Sequence, residues 1–454
     1  MKKSNKSFQK FLILWVGEFI SAIGGGLTAF GLGVYVYHLT GKASAMAIIT
    51  LLAFLPPLLL SSVAGVLADR YDRRLMMILG DSLSVFGLIF ILGCMIAGNP
   101  QMWQICLGVA ISSVFSSLMD PAYKATVTDL LTEEEFTRAI GMMQITDSAK
   151  YLVSPIIAGF LLSVSDIKII LIIDIATFFV TVATTMTVRK VIVPHLKVKE
   201  KSNFRDEFRV GWMGLTEKKG IFALVIVGSF LTLFMGVIQV LSLPMILSFS
   251  NSSVLGTIES LIACGMLVSS ICIGMVKITS RHVELLCLSL FVTGLMMIGF
   301  AFRENLYMIG IFGFLFFACL PFSNTCLDYL IRTNTANEVQ GRVWSLVGII
   351  SQLGYVLAYG FCGLLSDYIF TPMLQKNGVL AGTVGVLIGT GQGRGAAFLI
   401  IIAGLLMCIT AFILYQIKSV RALENRKEAI HEEDDHIRHI IEMATEHMQE
   451  DINL

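Results

Sequence analysis

Charged residues are scarce in this chain of 454 residues, since Asp, Glu, Lys and Arg make up 14% of it while 56% is hydrophobic. A water-soluble protein needs more charge on its surface, so the composition excludes a set of ordinary soluble domains. Neither sign of charge is in excess, because 33 basic and 32 acidic residues leave a formal net charge of +1. That balance excludes a nucleic-acid-binding protein and an acidic, disordered one. The composition therefore predicts a surface that faces a lipid bilayer.

Paired cysteine motifs and a phosphate-binding loop are also missing. All nine cysteines fall inside long apolar runs, without paired spacing or nearby histidines, so we predict packing residues and neither a disulfide nor a metal site. The glycine-rich run IGTGQGRGAAF lacks the following Lys-Ser/Thr pair and a preceding strand, which argues against nucleotide binding. We therefore expect no cofactor, no enzymatic activity and no ATP-driven pump.

Long apolar runs are what the chain does have. A membrane-spanning helix needs about 20 apolar residues, and twelve runs of that size can be counted. They lie near 11–37, 43–68, 75–98, 102–123, 138–164, 167–188, 220–248, 254–276, 283–302, 305–330, 341–369 and 394–417. The first run follows a basic stretch and is too long, without a cleavage site, for a removable signal. The sequence predicts an all-α protein with twelve transmembrane helices.

Lysine and arginine are distributed unevenly among the segments between these spans. With the N-terminus inside the cell, 27 of the 33 lie on the cytoplasmic side, five lie outside and Lys150 lies within a span. This bias predicts that both termini are cytoplasmic. A multi-pass protein of the cell membrane, working as a monomer, is the expectation.

The longest charged segment between spans divides them six and six, which predicts two six-helix bundles. The predicted units are an N-terminal bundle at 1–188, a cytoplasmic linker at 189–219, a C-terminal bundle at 220–417 and an acidic cytoplasmic tail at 418–454. A weak internal repeat, in which Pro121 matches Pro321, supports two related halves with a substrate cavity between them. Phe204, Phe208 and Trp212 predict an amphipathic helix in the linker, on the inner leaflet.

The tail holds four of the seven histidines among acidic residues, with apolar residues at helical spacing. We interpret this pattern as a solvated amphipathic helix, and the histidines as part of its polar face instead of metal ligands.

The loop between the second and third spans carries the sharpest motif, GVLADRYDRR. It closely resembles the signature G-x-x-x-D-[RK]-x-G-[RK]-[RK] of the major facilitator superfamily, although Asp72 stands where the signature has glycine. The matching residues are Gly65, Asp69, Arg70, Arg73 and Arg74. The resemblance implies that the glycine lets two helices pack closely, while the aspartate and arginines hold a cytoplasmic gate that breaks as the halves rock.

The same resemblance predicts the contacts of that gate. We expect Asp69 to contact the start of the eleventh span near Arg342. We also expect Asp120 to contact Arg73 or Arg74, and we expect both links to form only when the cytoplasmic side is closed.

Two further motifs resemble parts of this superfamily. The fifth span contains SPIIAG, whose residues Ser154, Pro155, Ala158 and Gly159 resemble the end of a facilitator antiporter motif, G-P-x-x-G-G. Proline kinks a helix and small residues permit close contact, so these four residues predict a hinge near the interface of the halves. The runs QGRVWSL and IGTGQGRGAAF resemble features of the drug:proton antiporter branch that includes the macrolide efflux proteins. An arginine typical of the larger drug-antiporter branches is missing from the fourth span, which agrees with the macrolide type.

Ionisable residues within the spans are candidates for the transport pathway, because a charge in hydrocarbon is costly. Asp147 and Lys150 are three residues apart on one helical face near mid-bilayer and are expected to pair. Asp147 is the leading candidate for carrying protons, as the deepest acid, with Glu18 in reserve. Glu259 approaches from the outer side of the eighth span. Each could instead form a structural hydrogen bond between helices.

These features together predict a secondary transporter of the major facilitator fold. It is expected to export a moderately hydrophobic small molecule, of the drug or macrolide kind, in exchange for protons. A dedicated exporter or importer of a lipid, siderophore or metabolite is an alternative within the same class. A non-transporting membrane receptor or scaffold is an alternative from another class, but a scaffold has no need of a gate motif or mid-membrane charges.

Overall fold

A computed structural model describes residues 2–98, 100–189, 204–275, 281–335 and 339–424. These residues form helices joined by short loops, without a β-strand, so the predicted all-α class is confirmed. In chain order the helices are α1 (Lys2–Thr40), α2 (Ala43–Arg70), α3 (Arg73–Ala97), α4 (Met102–Ser116), α5 (Met119–Leu130), α6 (Glu133–Leu152), α7 (Ser154–Val164), α8 (Ile167–Arg189), α9 (Phe204–Thr216), α10 (Lys219–Leu247), α11 (Ser252–Met275), α12 (His282–Phe302), α13 (Leu306–Asn334), α14 (Gln340–Leu365), α15 (Thr371–Met373), α16 (Val384–Ile388) and α17 (Arg394–Gln416). A π-helical turn, Ser366–Phe370, joins α14 to α15.

Among the described residues, twelve helical segments are long and apolar enough to cross a bilayer, which agrees with the predicted number. Nine of them are single helices, while α4 with α5, α6 with α7, and α14 with the π turn and α15 form the other three. The fourth span ends at Leu130, beyond the predicted 123. The helix continues because Pro121 lies in the first turn of α5, where a proline removes no helical hydrogen bond.

Close helix contacts at glycines hold each half of the molecule together. We call α1–α8 the N-terminal half and α10–α17 the C-terminal half. A Cβ atom at Gly87 of α3 would lie 2.3 Å from the carbonyl oxygen of Gly108 on α4. One at Gly354 of α14 would lie 2.1 Å from the carbonyl oxygen of Ser229 on α10. Within a bilayer, where apolar burial does not drive association, such close backbone approach lets helices gain dispersion contacts.

The two halves meet at one end of the bundle. We call this end outer, because the lysine and arginine bias predicts that it faces outside the cell, and the opposite end inner. The helix pairs that make contact between the halves there include α1 with α10, α2 with α14, and α7 with α11. A Cβ at Gly33 of α1 would lie 3.2 Å from the Leu243 side chain of α10.

The linker helix and the start of the tail both pack on the C-terminal half. The predicted linker helix is present as α9 and packs on α14. An ideal Cβ at Gly211 of α9 would lie 3.0 Å from the carbonyl oxygen of Arg342 on α14. Residues 418–424 are also helical, and Gly220 of α10 packs against Ser419 and Leu423. The boundary predicted at 418 therefore falls inside packed structure. The amphipathic tail helix predicted further on lies outside the described residues.

Candidate functional site

Polar residues recur on one side of α6 at the depth of the membrane. Gln144, Asp147 and Tyr151 follow each other at helical spacing and are all exposed, as is Lys150. A charged side chain facing hydrocarbon is strongly disfavoured, so this side of α6 must face an aqueous space inside the protein. The space lies between the two halves, because α6 contacts α1 in its own half and α11 in the other.

The predicted ion pair between Asp147 and Lys150 is not formed in the part of the chain that the structure describes. The aliphatic part of the Lys150 side chain packs against α1 instead. An ideal Cβ at Gly26 of α1 would lie 3.1 Å from Cγ of Lys150. Helical spacing placed the two residues on one face of α6, but packing against α1 fixes the direction of the lysine side chain. Asp147 is also an exposed residue.

Glu18 on α1 is more enclosed than Asp147. Its Oε2 atom is buried and has no hydrogen-bond partner among the described residues. Asp120, Asp147 and Lys150 lie within electrostatic range of this carboxylate. The structure thus brings together three of the predicted site residues, Glu18, Asp147 and Lys150, on the N-terminal half.

Two further acids lie behind Glu18 in the same half. Asp81 of α3 is only 6% exposed and Asp174 of α8 is 8% exposed. Asp81 interacts electrostatically with Glu18 and with Asp174. A Cβ at Gly24 of α1 would lie 2.7 Å from the Asp174 carboxylate, so α1 and α8 are tightly packed at that level.

Glu259, the fourth predicted residue of the pathway, belongs to the other half. It is half-buried on α11, one turn beyond Gly256. The contact between α7 and α11 passes through Gly256, so Glu259 lies beside the interface between the halves but is not part of the Glu18 group.

An aromatic cluster joins the halves near the middle of α2 and α14. The ring of Phe54 on α2 lies 5.5 Å from that of Tyr355 and 5.4 Å from that of Tyr359, both on α14. The Tyr359 hydroxyl donates a hydrogen bond to Oε1 of Gln239 on α10. These groups form an apolar wall with a polar tip, which suits a ligand that is mostly apolar and carries a few hydrogen-bonding groups.

The predicted hinge residues lie where the fifth span is interrupted. The helix breaks at Val153 between α6 and α7, and Pro155 occupies the first turn of α7. Buried Ser154 donates a hydrogen bond to the carbonyl oxygen of Ile23 on α1 at 3.1 Å. Ala158 is fully buried, and a Cβ on Gly159 would lie 2.6 Å from the carbonyl oxygen of Ser252 on α11.

Gly256 completes this contact from the opposite half. An ideal Cβ at Gly256 would lie 2.1 Å from the carbonyl oxygen of Pro155. The small residues of α7 therefore press on the first turn of α11, and the two halves are in backbone contact at the outer end.

The loop motif at the inner end has a different environment from the predicted one. An ideal Cβ at Gly65 of α2, and one at Gly341 or Gly348 of α14, would meet no atom of the described residues within 4 Å. The close packing that the motif implies for Gly65 is thus absent among the described residues. The side chain of Asp69, and with it the predicted contact to α14, lies outside what the structure describes.

The arginines of the motif contact their own half. Arg73 forms an ion pair with Asp129 of α5, with 2.7 Å between Nη1 and Oδ2, and its Nη1 also donates to the carbonyl oxygen of Ala125 at 3.0 Å. Asp120 pairs with Lys124 of the same helix at 2.8 Å, instead of with Arg73 or Arg74. The expected contact of Asp120 with Arg73 or Arg74 belongs to a closed inner end and stays a prediction, while Arg73 is bound here by Asp129 at the end of α5.

The remaining motif residues differ in exposure. Arg74 is 4% exposed, whereas Arg70 and Arg342 are exposed. Asp72 replaces the usual glycine without strain, because it has a φ of −61° and caps α3 by accepting a hydrogen bond from the backbone N–H of Arg74.

Sequence reasoning missed an arginine that organises the glycine-rich loop. Arg394 is fully buried, with its Nε 2.9 Å from Oε1 of Glu304 and its Nη1 donating to the carbonyl oxygen of Ile388. Gly389 and Gly393 beside it have positive φ angles of 97° and 82°, which let the loop close around the guanidinium. The run IGTGQGRGAAF thus forms a structural loop at the outer end. The glycines on both sides of Arg394 were the feature of the sequence that could have indicated this loop.

Comparisons with known proteins agree with this architecture. The sequence profile of the Major Facilitator Superfamily matches residues 14–359. Macrolide efflux protein A of Streptococcus pyogenes is 27% identical over 377 residues, covering 81% of this chain and 92% of that protein. Macrolide efflux protein A of Enterococcus faecalis is 28% identical over 319 residues, covering 68% of this chain and 98% of that protein.

A solved structure also resembles the fold. The crystal structure of a bacterial homologue of the iron transporter ferroportin, in an inward-facing state, has a TM-score of 0.67 at 14% identity. The similarity covers 90% of this chain and 98% of the other. Twelve spans in two halves with a charged surface between them define a polytopic transporter. The chain belongs to the Major Facilitator Superfamily.

Proposed function

We propose that this protein exports a moderately hydrophobic small molecule, of the macrolide or drug kind, in exchange for protons. The main support is the exposed polar side of α6 at membrane depth, with Glu18 within electrostatic range of it, together with the aromatic wall of Phe54 and Tyr355 between the halves. Similarity to two macrolide efflux proteins supports the choice of substrate class. The positive-inside bias supports a cell-membrane protein with both termini in the cytoplasm.

Alternating access is the mechanism that we infer for this export. The halves are in contact at the outer end through Gly256, while Gly65 and Gly341 at the inner end face open space among the described residues. This arrangement corresponds to an inward-open state, in which substrate enters the cavity from the cytoplasm. Rocking of the halves would then close the inner end, open the outer end and release the substrate outside.

Proton coupling requires a carboxylate that alternates between protonated and charged forms as its surroundings change. Glu18 fits this role better than Asp147, because its Oε2 is buried without a hydrogen-bond partner in the described part of the chain, near the exposed Lys150. Movement of the halves would change how much water reaches Glu18. Asp147 is exposed and would pass protons between Glu18 and the cavity.

Transport by membrane vesicles with an imposed pH gradient tests the proposal. Vesicles with the wild-type protein are expected to accumulate a radiolabelled macrolide, and to stop when the gradient is collapsed. Glu18→Gln should reduce gradient-driven accumulation to the level of vesicles without the protein, yet retain exchange of labelled for unlabelled substrate, because binding and rocking need no proton release. Asp147→Asn should slow accumulation without abolishing it.

Two outcomes would contradict this scheme. If Glu18→Gln still concentrates substrate along the pH gradient, Glu18 is a structural residue. If the wild-type protein moves no compound from a panel of macrolides and fluorescent drugs, the substrate class is wrong, and a dedicated substrate becomes the better hypothesis.

The charge of Asp69 is expected to matter for closing the inner end. If its carboxylate meets the first turn of α14 when the halves close, Asp69→Asn removes a favourable charge at the positive end of that helix and should slow transport several-fold, with normal expression. Asp166→Asn is a suitable control, because Asp166 pairs with Lys168 in an exposed outer loop. A wild-type transport rate in well-expressed Asp69→Asn protein would argue against the inner gate.

A further inference from the structure

The outer end of the molecule contains a contact that no sequence motif announced. Asp367 lies in the π-helical turn Ser366–Phe370 at the end of α14. Its Oδ1 accepts a hydrogen bond from the backbone N–H of Ala43 at 3.1 Å, and its Oδ2 accepts one from that of Ser44 at 2.7 Å. A carboxylate of the C-terminal half therefore binds the first turn of α2, a helix of the N-terminal half.

The first turn of α2 has no cap of its own. Its N-cap residue is Lys42, whose side chain makes no capping hydrogen bond. The first N–H groups of a helix lack partners within that helix, and the helix dipole makes them favourable for an anion. Asp367 supplies both the acceptors and the negative charge from the opposite half. Single π-helical turns often occur at functional sites.

Neighbouring residues bring the two helices into backbone contact at the same level. An ideal Cβ on Gly363 of α14 would lie 2.6 Å from Cα of Ser44 and 2.8 Å from Cβ of Ala47. Lys42 contacts Tyr368, with 3.4 Å between Nζ and the hydroxyl and 5.4 Å from Nζ to the ring centroid. The outer ends of α2 and α14 can therefore not separate without uncovering the two N–H groups.

We propose that Asp367 is the latch of the outer gate, and that its release from α2 is a required step of the transport cycle. This inference rests on the proposed alternating-access function. α2 and α14 run antiparallel; Asp69 is the residue before the last of α2, and Asp367 lies in the π turn that follows α14. Asp367 binds the level at which α2 begins. If Asp69 meets the start of α14 when the inner end closes, as in the proposed inner gate, the same helix pair would have one latch for each end.

The effect of losing the latch can be stated as a shift between the two states. Removing a side-chain cap from a helix shifts an equilibrium that depends on it by about tenfold. Asp367→Ala should therefore increase the outward-open population by about that factor, since the cap exists only when the outer end is closed.

Hydrogen–deuterium exchange of the full-length protein in lipid nanodiscs, without substrate or pH gradient, tests this proposal. Asp367→Ala should exchange about tenfold faster than wild type at residues 43–47, because backbone N–H groups exchange when they are transiently exposed. Residues 252–260 of α11 should also exchange faster, although they are part of a different contact, because the whole outer end opens. Residues 340–348 of α14 should become more protected as the inner end closes.

Two variants serve as comparisons. Asp166→Ala removes an outer-loop acid that pairs within its own half, with Lys168, and should leave all three regions as in wild type. Asp367→Asn keeps an acceptor oxygen without the charge and should give an intermediate shift. Asp367→Asn also provides the answer if Asp367→Ala does not fold.

Each result decides between a latch and a local cap. Faster exchange confined to residues 43–47 would make Asp367 a simple helix cap and overturn the proposal, as would unchanged exchange in both variants. The exchange measurement needs no substrate. A wild-type protein that transports none of the tested drugs but shows the reciprocal exchange pattern would therefore refute the proposed substrate class and leave the latch intact.

Discussion

Gly256→Leu is expected to reduce transport to the level of vesicles without the protein. Even a Cβ at this position would lie 2.1 Å from the carbonyl oxygen of Pro155, which is backbone and cannot turn aside. Overpacking of a tight contact costs about 1–3 kcal/mol, and here the strain exists only when α7 and α11 meet. At the upper end of that range the inward-open state becomes about a hundredfold rarer. The variant should therefore remain outward-open and fail to take up substrate from the cytoplasm.

The same helix offers a matched control for this substitution. Gly274 lies near the other end of α11, and an ideal Cβ there would meet no atom of the described residues within 4 Å. Gly274→Leu should transport at the wild-type rate. Vesicle uptake and hydrogen exchange of residues 252–260 measure the effect. Normal uptake by a correctly folded Gly256→Leu protein would show that the contact between α7 and α11 does not have to form during transport.

The number and order of the spans could be predicted from sequence because they depend on local composition. Apolar runs of sufficient length set the twelve spans, and the alternation of charge and aromatic residues predicted α9. The residues at which helices begin and end were harder to predict, since they depend on details such as the position of Pro121 within the first turn of α5. The division into two halves followed from the single long charged segment between spans.

Contacts between distant residues could not be predicted in the same way. Helical spacing placed Asp147 and Lys150 near one another, but only the packing of Lys150 against Gly26 showed that they do not pair. The bond of Asp367 to the start of α2 joins residues more than 300 positions apart and depends on a π turn that no pattern in the sequence indicated. The loop motif at Gly65 also could not indicate whether the structure would have the inner gate open or closed.

Gly65 presents the opposite case to Gly256, because the structure leaves space beside it. An ideal Cβ at Gly65 would meet no atom of the described residues within 4 Å, so a leucine fits the inward-open state without strain. The loop motif implies that α2 packs closely against another helix at this glycine when the inner end is closed. Gly65→Leu is therefore expected to fold normally, to bind substrate from the cytoplasmic side, and to lose nearly all transport.

The two glycine variants should bias the protein in opposite directions, and this contrast is the sharpest test of the rocking mechanism. In Gly65→Leu, residues 43–47 and 252–260 should exchange more slowly than in wild type, since the outer end stays closed, whereas both regions should exchange faster in Gly256→Leu. Gly93→Leu, at an open position on α3, is the control. A wild-type transport rate in Gly65→Leu would contradict the proposed role of this glycine in closing the inner end. Faster exchange at the outer end of Gly65→Leu would mean that the inner and outer ends are not coupled, because a block to inner closure can only favour outer closure if the halves rock as rigid units.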